Sequence, residues 1–149
     1  GKKFSIITMW DSWRHLYDKV ISEQGLAHRL ASVRSIGVRP DTSALLAGKE
    51  EVVFPDLERE GRAALDQDGA DVLILGSTTM YQAHNFLAER LKVPVINPGL
   101  LAFKYCEMLL DLGLTHSKRA YPAPERVDPR VYLPLHHRFG APDAAPDAG

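Results

Sequence analysis

Val72-Leu73-Ile74-Leu75 is an unbroken apolar run, entered through Gly69-Ala70-Asp71 and left abruptly into Gly76-Ser77-Thr78-Thr79. A strand with one solvated face alternates polar and apolar residues. A run with no polar member belongs inside a parallel sheet covered by helices on both sides. The rest of the chain follows the same alternation of strand and helix. Residues 4–8 and 30–36 are β-favouring runs, and 93–96 is a shorter one. Trp13, Leu16, Tyr17, Val20 and Ile21 fall at i, i+3, i+4, i+7 and i+8, one apolar face of a helix. Asp11 or Ser12 suits its N-cap and Gly25 its stop. Residues 57–67, 80–91 and 100–112 predict three more helices, the last apolar over much of its surface. Residues 37–55, with Pro40 and Gly48, predict a long loop, either a substrate lid or a solvated connection. The expected fold class is α/β, a four-stranded parallel sheet flanked by helices with right-handed crossovers.

Composition narrows the function classes. Formal net charge is -1 with the two signs interspersed, so no basic face for nucleic acid or an anionic membrane is expected. The single cysteine, Cys106, allows no disulfide within the chain, and its mid-helix place suggests a small buried apolar residue. Six histidines lack metal-ligand spacing, so no metal site is expected. No apolar run reaches the roughly 20 residues of a membrane span, and no signal-peptide core is present, which makes a cytoplasmic protein the default. The chain opens directly on a core strand without an initiator Met, as a piece of a longer protein would. Residues 125–149, rich in Pro, Ala and Asp, predict an extended, partly disordered tail.

In open parallel sheets, ligands bind beyond the carboxyl ends of the strands. Three segments arrive there: Thr8-Met9-Trp10-Asp11, Gly76-Ser77-Thr78-Thr79 and Asn97-Pro98-Gly99. The hydroxyls and first N–H groups of the second segment suit an anion, and Ser77 equally suits an N-cap. Asn97 before a proline is a binding group or a turn residue. Trp10 is pocket wall or core, and the stripe places Trp13 in the core. P-loop, dinucleotide and serine-hydrolase motifs are absent.

Four segments together carry a resemblance. Gly69-Ala-Asp-Val-Leu-Ile-Leu-Gly-Ser-Thr-Thr-Met80 resembles the stretch of Asp/Glu/hydantoin racemases in which a strand ends in Gly-Cys-x-x-Met or Gly-Cys-Thr-His. Val93-Pro-Val-Ile-Asn-Pro98 resembles the following strand of that family, and Leu112-Gly-Leu-Thr-His-Ser-Lys-Arg-Ala-Tyr121 its ending in hydantoin racemase-like members. Phe4–Thr8 and Gly25-Leu-Ala-His-Arg-Leu-Ala-Ser-Val-Arg34 fit the start of the same half. The resemblance implies two similar α/β lobes with the active site between them and one acid/base cysteine from each. Residues 1–97 then correspond to the second lobe. Residues 98–124 correspond to a crossover helix and segment packing on a first lobe that lies outside this sequence.

The resemblance places Ser77 at the second-lobe cysteine position. It makes Thr8, Thr78, Thr79 and Asn97 substrate-binding groups. A free thiol titrates near about 8.5 and is partly thiolate at neutral pH, whereas a serine hydroxyl needs a neighbouring base. His84, two helical turns further on, points down its helix rather than at the strand end. The activity implied is cofactor-independent isomerisation at the carbon α to a carbonyl of an amino acid, hydantoin or similar small acid. The partners implied are a small carboxylate or hydantoin-like substrate, and a first lobe or a homo-oligomer partner. The alternatives are a non-catalytic small-carboxylate-binding or accessory protein on the same scaffold, and a single-cysteine decarboxylase-like enzyme.

Overall fold

The computed structural model describes residues 1–41 and 50–123. Residues 42–49 of the expected 37–55 loop, and the expected tail, lie outside these residues. Four strands, β1 (Phe4–Thr8), β2 (Leu30–Ser35), β3 (Val72–Leu75) and β4 (Val95–Ile96), form one sheet in the order β2-β1-β3-β4. Every neighbouring pair is parallel, with Ile7 opposite both Arg34 and Leu75, and Leu73 opposite Val95. Among the described residues four α-helices accompany them: α1 (Arg14–Glu23), α2 (Phe54–Asp66), α3 (Ala83–Leu91) and α4 (Pro98–Asp111). The fold is therefore α/β, as expected.

Strand pleating sends alternate side chains to opposite faces. On one face Ile7, Leu73, Leu75 and Val95 meet Phe54, Leu57 and Ala64 of α2 and Ala83, Leu87 and Leu91 of α3. Ile7, Leu73 and Leu87 are wholly removed from water there. Gly61 of α2 lets the helix come close, since a Cβ would lie 2.7 Å from Leu91 Cδ1 and 3.3 Å from Leu73 Cδ1. The opposite face is thinner: Ile6 and Val33 meet Ile21 of α1, with Phe4, Tyr17, Leu30 and Ile74 partly buried around them. Of the stripe expected on α1, Ile21 is buried, but Leu16 and Val20 are 49% and 54% exposed. The sheet beneath α1 meets Ile21 and Tyr17 and leaves Leu16 and Val20 in water.

Helix ends follow local chemistry, in part against expectation. Neither Asp11 nor Ser12 caps α1, because a 3-10 turn over Asp11–Trp13 runs straight into it. Gly25, at φ +65°, ends α1: its N–H donates to Ser22 and the Leu26 N–H to Ile21. This pairing satisfies carbonyls that a helix end leaves open. Helix α2 starts at Phe54 rather than 57, with Pro55 in its first turn, where a missing N–H costs nothing. The expected 80–91 helix is a 3-10 turn over Thr78–Met80 followed by α3. Helix α4 buries none of its residues, and Leu100, Leu101, Phe103, Tyr105, Leu110 and Cys106 all stand exposed. Cys106 is thus a surface thiol and not the buried residue expected.

The chain divides into two units, Gly1–Leu112, which holds every strand and helix above, and Gly113–Gly149. In the second, the Ala120 and Tyr121 N–H groups close a turn on the Ser117 carbonyl. No helix among the described residues is long and apolar enough to cross a membrane.

Arg34, on the edge strand β2, grips the end of α2. Its Nε and Nη2 donate to the two Asp68 oxygens at 2.5 and 2.9 Å, and Nη1 reaches Glu60 at 3.3 Å. Arg34 holds the Asp68 carboxyl below the usual carboxylate range, against the opposing effect of burial. The unfolded chain therefore takes up the proton first. The stabilisation is complete above the ordinary carboxylate pKa and is lost as pH falls through the lowered one. The denaturation midpoint should drop as pH falls below the ordinary carboxylate pKa of about 4, and Asp68→Asn should flatten that drop in urea titrations. Leu73→Ala should cost about 2–5 kcal/mol in the same measurement, because the surrounding elements cannot close the cavity.

Candidate active site at the strand ends

From β1 the chain turns to β2 on one side, and from β2 it crosses over to β3 on the other. Strand order reverses between β1 and β3, and the crevice at such a reversal is where open α/β sheets bind ligands. The carboxyl ends flanking that crevice are Thr8 and Gly76-Ser77.

Thr8 is fully buried, and its hydroxyl lies 3.0 Å from that of Tyr17 on α1. Tyr17 Oη donates to the Gly76 carbonyl at 2.5 Å. A phenol has one proton, so the Thr8 hydroxyl is the donor to Tyr17. The Gly76 N–H donates to the Ile7 carbonyl at 2.8 Å. A Cβ at Gly76 would lie 2.6 Å from Tyr17 Oη and 3.0 Å from Thr8 Cβ, so only glycine admits this arrangement. The sequence pattern assigned Tyr17 to an apolar stripe. Its hydroxyl was invisible there, because spacing reports the face and not the partner of a polar tip.

Ser77 follows in extended conformation and starts the 3-10 turn. Its Oγ accepts the Thr79 N–H at 3.2 Å and pairs with Thr79 Oγ1 at 2.8 Å. The capping role is therefore realised, and the two hydroxyls form one small polar cluster. Thr78 is exposed and lies against the first turn of α4: a Cβ at Gly99 would be 3.5 Å from Thr78 Cβ. Asn97 caps that helix, its Oδ1 accepting the Gly99 and Leu100 N–H groups at 3.1 and 3.2 Å. The turns after β3 and β4 thus adjoin.

On the other side the β2 end is tied to the β1 end. The Ile36 N–H donates to Thr8, the Val38 N–H to Met9 at 2.8 Å, and Ser35 Oγ to Met9 at 3.1 Å. Above this seam Trp10 meets Trp13 edge-on at 6.2 Å, and the Arg39 guanidinium sits 5.5 Å over the Trp10 ring. His84 pairs with Asn85 at 2.9 Å, while the Ser77 hydroxyl is engaged by Thr79. An open depression runs along the outer side of β4 among His84, Ile96, Asn97, Leu100, Leu101 and Lys104. Of Thr8, Ser77, Thr78, Thr79 and Asn97, it is Asn97 that lines this depression. No group of three metal-ligating side chains occurs among the described residues.

The sequence model of the Asp/Glu/Hydantoin racemase family matches residues 1–106. The hydantoin racemase of Pseudomonas sp. (strain NS671) is 28% identical over 141 residues, 93% of this chain and 53% of that protein. That of Paenarthrobacter aurescens is 28% identical over 77% of this chain and 48% of its own length. Among solved structures, the allantoin racemase from Klebsiella pneumoniae superposes with a TM-score of 0.73 at 28% identity, over 85% of this chain and 51% of that one. The allantoin racemase from Pseudomonas fluorescens does so at 0.70 and 30%, over 86% and 54%. The chain spans about half the length of the curated relatives it matches. With that match over most of its length and the same parallel sheet, the chain belongs to the Asp/Glu/Hydantoin racemase family.

Proposed function

We propose that this chain forms one lobe of a cofactor-independent enzyme that moves the proton on the carbon α to a carbonyl of a hydantoin, amino acid or similar small acid. The observation that carries the reading is the Gly76-Ser77-Thr78-Thr79 turn, set at the reversal of strand order beside Thr8. Ser77, Thr78 and Thr79 supply hydroxyl and N–H groups to a substrate carbonyl or carboxylate. Thr8 forms the floor beneath them, and Asn97 offers its amide from the adjoining turn. The remaining half of the family's length supplies the opposing lobe and the thiolate. Residues 98–124 cross to that lobe, which accounts for the exposed leucines and aromatics of α4: monomers seldom leave so much contiguous apolar surface in water.

Ser77 then decides the stereochemistry. A thiolate on the opposite lobe takes the α-proton and leaves an enolate held by the turn. Ser77, with an ordinary hydroxyl already bonded to Thr79, is a poor acid for the second face. The proton returns from the thiol that removed it, after exchange with solvent. The expected outcome is deuterium uptake with retention of configuration, followed on a 5-substituted hydantoin by proton NMR and chiral chromatography in heavy water. Ser77→Cys should convert exchange with retention into racemisation. Failure of the two-lobed protein to exchange α-protons of hydantoins, amino acids or malonates would leave the second reading, a carboxylate-binding protein.

A further inference from the structure

We infer that Tyr17 is the positioning residue of this site, setting the Ser77 turn through the Gly76 carbonyl rather than touching substrate. The inference rests on the reading of that turn as the binding element. Three observations meet at the phenol. Its hydroxyl donates to Gly76 O at 2.5 Å, one residue before Ser77. The same oxygen takes the Thr8 hydroxyl at 3.0 Å, so both strands flanking the crevice are fastened to one atom. The space it occupies is the space a Gly76 side chain would need.

The bonds fix the direction of the Gly76 carbonyl, and with it the peptide plane that leads into Ser77. The Ser77 N–H lies in that plane, because the peptide unit is rigid. A tilt of the carbonyl therefore re-aims the first donor of the turn. Thr8 has spent its proton on Tyr17, so its part in the site is to hold the phenol, and its burial agrees with that part. Tyr17 stands on α1, the helix that covers the thinner face of the sheet. Its ring joins Ile21 in packing there, and the hydroxyl alone reaches the rim.

The test is Tyr17→Phe in the full chain, which keeps the ring and removes only the hydroxyl. Ile21→Val on the same face serves as a control that loosens the packing without touching the hydroxyl pair. Amide hydrogen exchange at Ser77–Thr79 is read first, and needs no ligand. Tyr17→Phe should speed exchange there about tenfold beyond any global change, and Ile21→Val should not. Affinity for a 5-substituted hydantoin, read by amide shifts, should fall about tenfold in Tyr17→Phe and stay level in Ile21→Val. Thr8→Val combined with Tyr17→Phe should add little to either effect. Turn amides unchanged in Tyr17→Phe, or changed equally by Ile21→Val, would overturn the inference. If neither the wild-type chain nor the variants bind the hydantoin, the functional reading fails while the exchange data still decide the role of Tyr17.

Discussion

Strands β1 and β3 lie side by side with Ile7, Leu73 and Leu75 sealed from water, and the rim residues have positions only because that pair is rigid. Close-packed interiors resist small displacements, and α2 and α3 press this pair from one side at nearly every buried position. The order in which the chain visits the strands reverses at the same place, so the connections after β1 and β3 leave to opposite sides above Thr8 and Gly76. Rigidity comes from the packing and the place of the rim comes from the topology. Gly76 lies where the two meet, and its lack of a side chain lets Tyr17 reach in from the helix on the other face.

The two faces of the sheet are unequally covered. One is closed by α2 and α3, whose apolar residues leave little of the sheet accessible. The other carries α1 over Ile6 and Val33, with Val72, Ile74 and Ile96 only partly covered. Leu16 and Val20 of α1 and nearly the whole of α4 add to the apolar surface left in water. The chain spans about half the length of the relatives it matches, and on the proposed reading these are the surfaces that the opposing lobe covers.

Much of this was legible from the residues. Val72–Leu75 announced a covered parallel strand because no polar residue interrupts it, and its exit into Gly76-Ser77-Thr78-Thr79 marked the rim. The capping role of Ser77 followed from a side chain that competes for free N–H groups, whereas Asn97, read as a binding group or a turn residue, turns out to cap α4. What escaped had physical reasons. Pro55 read as a loop signal, although a helix tolerates proline in its first turn. Cys106, Leu16 and Val20 carried the periodicity of buried residues, and periodicity shows which face is apolar without showing that anything covers it. Tyr17 was placed on its correct face, but its decisive bond spans 59 residues of sequence and no local pattern encodes it.

The central claim is that the turn after β3 holds the substrate. The most direct measurement is a titration of the amide spectrum of this chain with a 5-substituted hydantoin. The account predicts saturable shifts largest at Ser77, Thr78 and Thr79, with a smaller response at Asn97. Shifts concentrated instead at His84, Leu101 and Lys104 in the depression beside β4, or no saturable shift at all, would contradict it.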